Sequence, residues 1–370
     1  MRACQTSEVS PLVLHVLPID VARGAQTYAR QLRCSLDGDG ARHETLTLFR
    51  APDAALRADV KLDVPAGRLR RFGFDPRAAW ALRRVVRAEQ PAVVVAHGGE
   101  PLKYAVLAGV PRHRLVYYKI GVGDARLHGM KRRLHRFFQA RACRVAVVSR
   151  AAADEAIALG TPSPRVVVIP NGRDPDEYRP GNRDVGDGPV RLVFVGQLDA
   201  SKRPEQFVAL TRALRASGCA VEGVMAGTGP RLAAVHAAAP GAGVEVLGSV
   251  GDVPELLAGS DILVFTGGPP EGMPGVLIEA GLAGLPVVTT DVPGAGDVVA
   301  DGVTGFVVPV DDFAALERAT RSLVDDEEQR RAFGLSARAR CASEFGLESS
   351  VRRWHDLLAE MIAQSCTSST

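Results

Sequence analysis

At 370 residues, 46% of them hydrophobic, the chain is long enough to bury two cores and too apolar for a disordered segment. Six scattered cysteines show neither metal-ligand nor disulfide-framework spacing, no apolar run reaches the roughly 18 residues of a membrane span, and residues 1–10 lack a signal-peptide core, so a cytoplasmic protein with reduced thiols is expected. The net charge of +3 hides an asymmetry: residues 1–172 hold 28 Lys and Arg against 14 Asp and Glu, residues 173–370 hold 17 against 28, and a basic half can attract a negative membrane or anionic substrate, or simply face the acidic half across a cleft.

The first predicted strand is 12–17 (LVLHVL), after which Gly24 opens a helix to about residue 36. Strands are predicted near 45–49, 92–97 and 114–119, with a helix over 76–89, an alternation that argues for a parallel sheet with helices on both faces. His97, opening HGGE, stands at the carboxyl end of a strand, the edge where open α/β sheets bind ligands. It can bind an acceptor hydroxyl or move a proton, or it can be a histidine hydrogen-bonded within its loop.

Residues 125–144 (ARLHGMKRRLHRFFQARACR) have a helical pattern, with Leu127, Met130, Leu134, Phe137 and Phe138 three and four apart. Arg126, Lys131, Arg132, Arg133, Arg136 and Arg141 surround that stripe. The expected outcome is a core-packed stripe with a solvated basic face; the alternative is a basic amphipathic helix on anionic lipid. Aromatic interleaving and nucleic-acid modules are lacking, so no nucleic-acid partner is expected. A strand at 144–148, a helix at 149–159 and a strand at 165–169 end this half, and the polar run 179–188 reads as a linker. Asp37 with Asp39, and Asp174 with Asp176, spell a DxD pair in turn-like sequence and read as surface residues, so no metal site is expected.

The second half restarts the pattern with a strand at 191–195, then Gly196, and a helix over 204–216. Gly196 lets the chain turn tightly, and Lys202 ahead of the helix can neutralise phosphate oxygens. A strand within VEGVMAGTGPR ends in Gly227 and Gly229. The stretch 265–290, FTGGPPEGMPGVLIEAGLAGLPVVTT, joins a strand, a Gly/Pro-rich loop, a helix of about two turns and another strand. Such a loop-to-helix junction aims free N–H groups at one spot, an anion site. Glu271 precedes the helix and Glu279 lies within it, so the two can reach opposite ends of one ligand.

Glu271 and Glu279, inside EGMPGVLIEAGLAGLPVV, resemble the E-x7-E signature of the retaining glycosyltransferases of family 4. That resemblance implies the GT-B fold, an α/β architecture of two doubly wound Rossmann-like domains facing a cleft. Residues 1–175 with a crossover helix at about 350–363 would bind the acceptor, and residues 189–345 the nucleotide sugar. It further implies that Glu271 and the backbone of Gly272, Met273, Pro274 and Gly275 contact the donor sugar, that Glu279 binds the ribose, and that Gly196, Gln197 and Lys202 serve the diphosphate. Gln197 stands where the family usually has arginine, and Arg203 is the cation at hand to compensate. Gly227 and Gly229 match the family's glycine turn, and Val250 belongs to the segment whose backbone receives the base. On the acceptor side the resemblance implies Gly24, His97 and Lys119, the last where relatives often have histidine. Catalysis would rest on Glu271, Lys202 and His97, with a UDP-, GDP- or other NDP-sugar as donor, no metal or other cofactor, and a small-molecule, glycan or lipid acceptor. A sugar-nucleotide epimerase and a non-catalytic binding protein on the same scaffold remain alternatives.

Overall fold

The strands VVVAH and LVYYK are buried at every position, a pattern that fits a parallel sheet covered on both faces. The computed structural model describes residues 10–21, 24–51, 57–65, 67, 70, 73–124, 127–181, 188–269 and 272–367, with the side chains of 24, 25, 366 and 367 excepted. Among the described residues the strands form two sheets. The first contains β1 (Leu12–Ile19), β2 (Arg42–Phe49), β3 (Val60–Val64), β4 (Val93–His97), β5 (Leu115–Lys119), β6 (Arg144–Val147) and β7 (Val166–Val168) in the order β3-β2-β1-β4-β5-β6-β7. The second contains β8 (Val190–Val195), β9 (Val221–Ala226), β10 (Val244–Gly248), β11 (Ile262–Phe265), β12 (Val287–Thr290) and β13 (Gly305–Val308) in the order β10-β9-β8-β11-β12-β13. Every neighbouring pair is parallel. Strand order reverses between β1 and β4 and again between β8 and β11, and each reversal opens a crevice at the carboxyl ends of the strands.

Local chemistry sets the helix starts. Asp75, Ser149, Asp252, Asp312 and Asp326 each accept a hydrogen bond from a backbone N–H two or three residues on, capping the helices that follow them. Among the elements not anticipated are the short edge strand β3, which pairs with β2, the helix Gly99–Leu107 directly after His97, the strand β10, and the short helices Leu232–Ala238 and Val253–Ala258 of the second lobe. The basic helix spans Gly129–Ala140, shorter than expected, and residues 125–126 lie outside the described residues. Of the predicted linker, 182–187 lie outside them too.

The last helix, Leu347–Thr367, is longer than predicted and returns to the first lobe. There Trp354 is fully buried, its indole N–H donating to the Tyr28 hydroxyl at 3.0 Å, and its ring meeting Tyr118 edge-on and stacking on His97. One apolar core runs through the first sheet and onward into Met273, Leu277 and Ile278 of the second lobe, so the lobes share a packed seam. A smaller core, with Phe194, Phe207, Met225 and Val264, fills the other face of the second sheet.

Candidate active site

Three strand ends of the second lobe meet around a cavity of about 370 Å³. Gly196 and Gln197 after β8, Gly227 and Gly229 after β9, and Ser249 and Val250 after β10 line it. Glycine is required here by contact. A Cβ on Gly227, at φ +149°, would stand 1.8 Å from the Gly196 carbonyl oxygen, and one on Gly229, at φ +156°, 2.4 Å from that of Leu198. The backbone walls therefore lie too close together to admit a side-chain carbon at either glycine, and the cavity is lined largely by main chain. Gln197 is exposed at its mouth.

Lys202 follows a turn held by Asp199, whose Oδ1 accepts from the Ser201 hydroxyl at 2.7 Å and from the amides of Ser201 and Lys202. Burial raises the Asp199 carboxyl, but those hydrogen bonds outweigh it and hold the group below its usual range. The Lys202 ammonium lies 4.9 Å from the centroid of the Phe265 ring at the end of β11, and the Lys202 side chain runs beside Gly196. Arg203, the cation at hand beside Gln197, donates from Nη1 to the Val310 carbonyl at 3.0 Å and to Asp311 at 2.8 Å.

The helix Gly275–Leu282 begins without a side-chain cap. Glu271 lies outside the described residues, whereas Gly272, Met273 and Pro274 are buried in the seam. A Cβ on Gly272 would come within 2.6 Å of the Ile120 carbonyl, and the Ser149 hydroxyl donates to the Gly272 carbonyl at 3.2 Å. This segment is thus held against the first lobe. Glu279 accepts from Arg173 Nε at 2.7 Å, and a Cβ on Gly275 would strike the same guanidinium. Burial lowers the Arg173 pKa, and the Glu279 carboxylate overcomes that and raises it. Arg173 was missed at the sequence level; its only signal was its position in the segment between the lobes, where its N–H and C=O also bond Phe345 and Leu347.

Two first-lobe expectations need correction. His97 was expected to meet an acceptor, but its ring is buried, with Nε2 3.0 Å from His15 Nδ1. His15 Nε2 lies 3.3 Å from His43 Nδ1, and His43 Nε2 3.2 Å from the Asp39 carboxylate. With Asp39 ionised, each ring donates toward the aspartate and accepts from the histidine behind it, which leaves His97 Nδ1 an acceptor without a protein partner. Desolvation lowers the His97 pKa to about 3 and that of His15 well below its usual value, so both rings stay neutral. Lys119 was expected to bind the acceptor too, but its ammonium is interior, paired with Asp124 and, at 2.7 Å, with Glu155. A buried ammonium persists only with such partners. Gly24 opens the helix Gly24–Ser35, next to residues 22–23, which lie outside the described residues.

What the first lobe does present is a cavity of about 460 Å³ at the ends of β4 and β5, walled by Gly98, Ile120 and Gly121, by Lys103, Lys131 and His135, and by Leu134 and Phe138. Ile120 and Gly121 are also the residues against which Gly272 packs, so the cavity borders the segment that follows Glu271. Among the described residues no cluster of His, Cys, Asp and Glu could hold a metal ion.

Two facing Rossmann-like lobes, a glycine-lined cavity in the second and a crossover helix back to the first define the class of GT-B glycosyltransferases. The description Glycosyl transferases group 1 matches residues 189–326, and Glycosyltransferase Family 4 matches residues 22–177. The GDP-mannose-dependent alpha-mannosyltransferase of Mycobacterium tuberculosis is 30% identical over 319 residues, covering 80% of this chain and 77% of that protein. The chain belongs to glycosyltransferase family 4. The amylovoran biosynthesis glycosyltransferase AmsK of Erwinia amylovora is 28% identical over 58% of this chain and 55% of its own length, and the chain spans 22% of each of two further curated relatives. Anabaena Alr3699/HepE, solved in complex with UDP-glucose, superposes with a TM-score of 0.78 at 19% identity, over 94% of this chain and 99% of that one.

Proposed function

We propose that this protein moves a hexosyl group from a nucleotide-diphosphate sugar to an acceptor hydroxyl in the cleft between the lobes, retaining anomeric configuration and needing no metal. The observation that carries this reading is the convergence of Gly196, Gln197, Gly227, Gly229 and Val250, from three strand ends, on one cavity. In this reading the cavity takes the nucleotide, and the backbone around Val250 receives the base. Lys202 and the uncapped end of the helix Gly275–Leu282 stabilise the negative charge that grows on the departing diphosphate, a term that enters in the transition state. Glu279, held by Arg173, would take the ribose hydroxyls, and Glu271 the sugar. UDP in the Anabaena complex and GDP in the name of the mycobacterial relative make these two nucleotides the first to try.

In this reading the reaction takes place in the cytoplasm. No helix among the described residues is long and apolar enough to cross a membrane, and the helix Gly129–Ala140 would supply a peripheral contact with one. The test is ligand-dependent unfolding against UDP-, GDP-, ADP- and dTDP-sugars, with and without EDTA, for the parent and for Glu279→Ala. One nucleotide class should stabilise the parent by about 2.7 kcal/mol at 100 times its dissociation constant, EDTA should change nothing, and the variant should lose the effect. Folded protein that no donor stabilises would sink the transferase reading; a donor epimerised without acceptor would replace it.

A further inference from the structure

We propose that Asp124 is an acceptor-binding residue of the cleft, a carboxylate that takes hydrogen bonds from the hydroxyls of a polyhydroxylated acceptor, and that buried Lys119 and Glu155 position it. The inference rests on the transferase reading and assigns residues to the acceptor side of the same cleft.

The first observation is a shared charge. The interior Lys119 ammonium lies against both Asp124 and Glu155, so one cation serves two carboxylates and neutralises neither. Glu155 Oε1 also accepts from the Gly123 amide at 2.7 Å, which ties the residue before Asp124 to the helix Arg150–Ala158. Lys119 ends β5 and Asp124 ends the loop that follows, so the loop is closed by its own first and last residues and clamped to a neighbouring helix. The clamp fixes the carboxylate in place and leaves it charged. Asp124 is partly exposed and is the one carboxylate among the residues that line the first-lobe cavity.

The second observation is the tautomer of His135. The helix Gly129–Ala140 does not turn its apolar stripe into the core as expected: Met130, Leu134 and Phe137 are 74%, 49% and 47% exposed, and only Phe138 and Gln139 are buried. Gln139 anchors it, its amide nitrogen donating to the Ala156 carbonyl at 3.0 Å and the Thr161 hydroxyl at 2.7 Å, which turns its Oε1 toward His135 Nε2 at 3.3 Å. An amide oxygen only accepts, so Nε2 carries the ring proton, and the same nitrogen stands 3.4 Å from Asp124 Oδ2. Lys119 and His135 thus both meet Oδ2, and Oδ1 has no partner among the described residues. Burial lowers the His135 pKa in spite of Asp124, so the ring stays neutral and adds no second cation.

The remaining polar groups of the wall donate. Lys103 and Lys131 are cations, and burial, with the field of Asp124 and Glu155 behind it, raises the Tyr117 hydroxyl so that it keeps its proton. A hydroxyl can donate to Asp124 and accept from its neighbours at once, whereas an ammonium meets the two lysines and a phosphate meets Asp124. Ile120 and Gly121, the first residues of the clamped loop, are those against which Gly272 packs, so the loop that carries Asp124 also touches the segment that follows Glu271.

The full chain is assayed with the nucleotide sugar that stabilises it and with the methyl α-pyranosides of glucose, mannose and galactose as acceptors, against cyclohexylmethanol, which offers a single hydroxyl; calorimetry titrates the same four. At least one pyranoside should be glycosylated with a KM roughly tenfold or more below that of cyclohexylmethanol. Asp124→Asn should raise that KM about tenfold while kcat falls less than about threefold and donor stabilisation is unchanged. The double variant Lys119→Met, Glu155→Gln removes one charge of each sign and should raise the same KM about fivefold, again with donor stabilisation kept. Asp124→Asn, at the partly exposed end of the network, decides the proposal even if the double variant does not fold. Donor binding with no pyranoside bound or glycosylated, or a KM unmoved in Asp124→Asn, overturns the proposal and leaves the transferase reading standing. Pyranoside binding that Asp124→Asn abolishes, in a chain that binds no donor, overturns the transferase reading and leaves the site.

Discussion

The two sides of the cleft are built from different material. The second-lobe side, which the proposed function gives to the donor, is mostly backbone, brought so close at Gly227 and Gly229 that a single carbon would collide with a facing carbonyl. The first-lobe side is mostly side chains, Lys103, Lys131, Leu134, His135 and Phe138 among them, and beneath it lie groups that depend on distant partners: His97 on His15, 82 residues away, and Lys119 on Glu155. A backbone site asks only that certain positions carry no Cβ. A side-chain site asks that several remote residues be right together, and it gains in return a charge and a protonation state set by its surroundings.

The sharpest way to break this comparison is Gly227→Val. Its Cβ would lie 1.8 Å from the Gly196 oxygen, so β8 and β9 must separate at their ends. The expected loss is about 3–5 kcal/mol in urea unfolding, with donor stabilisation gone. Gly241→Ala is the control: it also has positive φ but meets nothing within 4 Å, so about 1 kcal/mol is expected. Similar losses at both positions would mean that conformation, and not backbone approach, governs the donor side.

Acid should unsettle the first lobe next. Burial lowers the folded-state pKa values of His15 and His97, the latter to about 3, while the unfolded chain titrates near 6.5, so between these values the unfolded chain binds more protons. Their neutral burial is fully accommodated above pH 6.5, and stability falls as pH drops toward 3, by up to about 1.4 kcal/mol per pH unit for each ring. Urea unfolding at pH 7, 6 and 5 measures this slope. His97→Phe should make it shallower, and an unchanged slope would show that the ring is protonated in the folded protein.

The smallest effect concerns the seam. Asp297 of the second lobe accepts from the Arg150 amide at 2.6 Å, at the start of the first-lobe helix Arg150–Ala158, and its carboxylate lies 3.8 Å from the Arg150 guanidinium. Asp297→Asn keeps an acceptor and removes the charge, so about 0.5 kcal/mol should be lost, less at high salt. An equal loss at low and high salt would show that the charge has no part in it.

The sequence carried the layout well. Period and glycine turns are local signals, and they placed most strands and helices and the glycines of the second-lobe cavity. The sequence placed Glu279 within a helix, but did not reveal its Arg173 partner, because an ion pair between residues 106 apart leaves no local pattern. His97 and Lys119 stood at the right edge of the right strands, and the sequence could not tell which way their side chains would turn. The stripe of the basic helix was legible as a stripe, while its exposure was not.

Taken alone, the sequence determined two α/β lobes and the glycine turns that line the cavity of the second, since strand period and the absence of Cβ act within a few residues of each position. Only the tertiary structure decided that His97 lies in a neutral histidine chain, that Lys119 is spent on Asp124 and Glu155, and that Met130, Leu134 and Phe137 face outward. Burial and charge pairing are set by what packs against a residue, and those neighbours come from far along the chain.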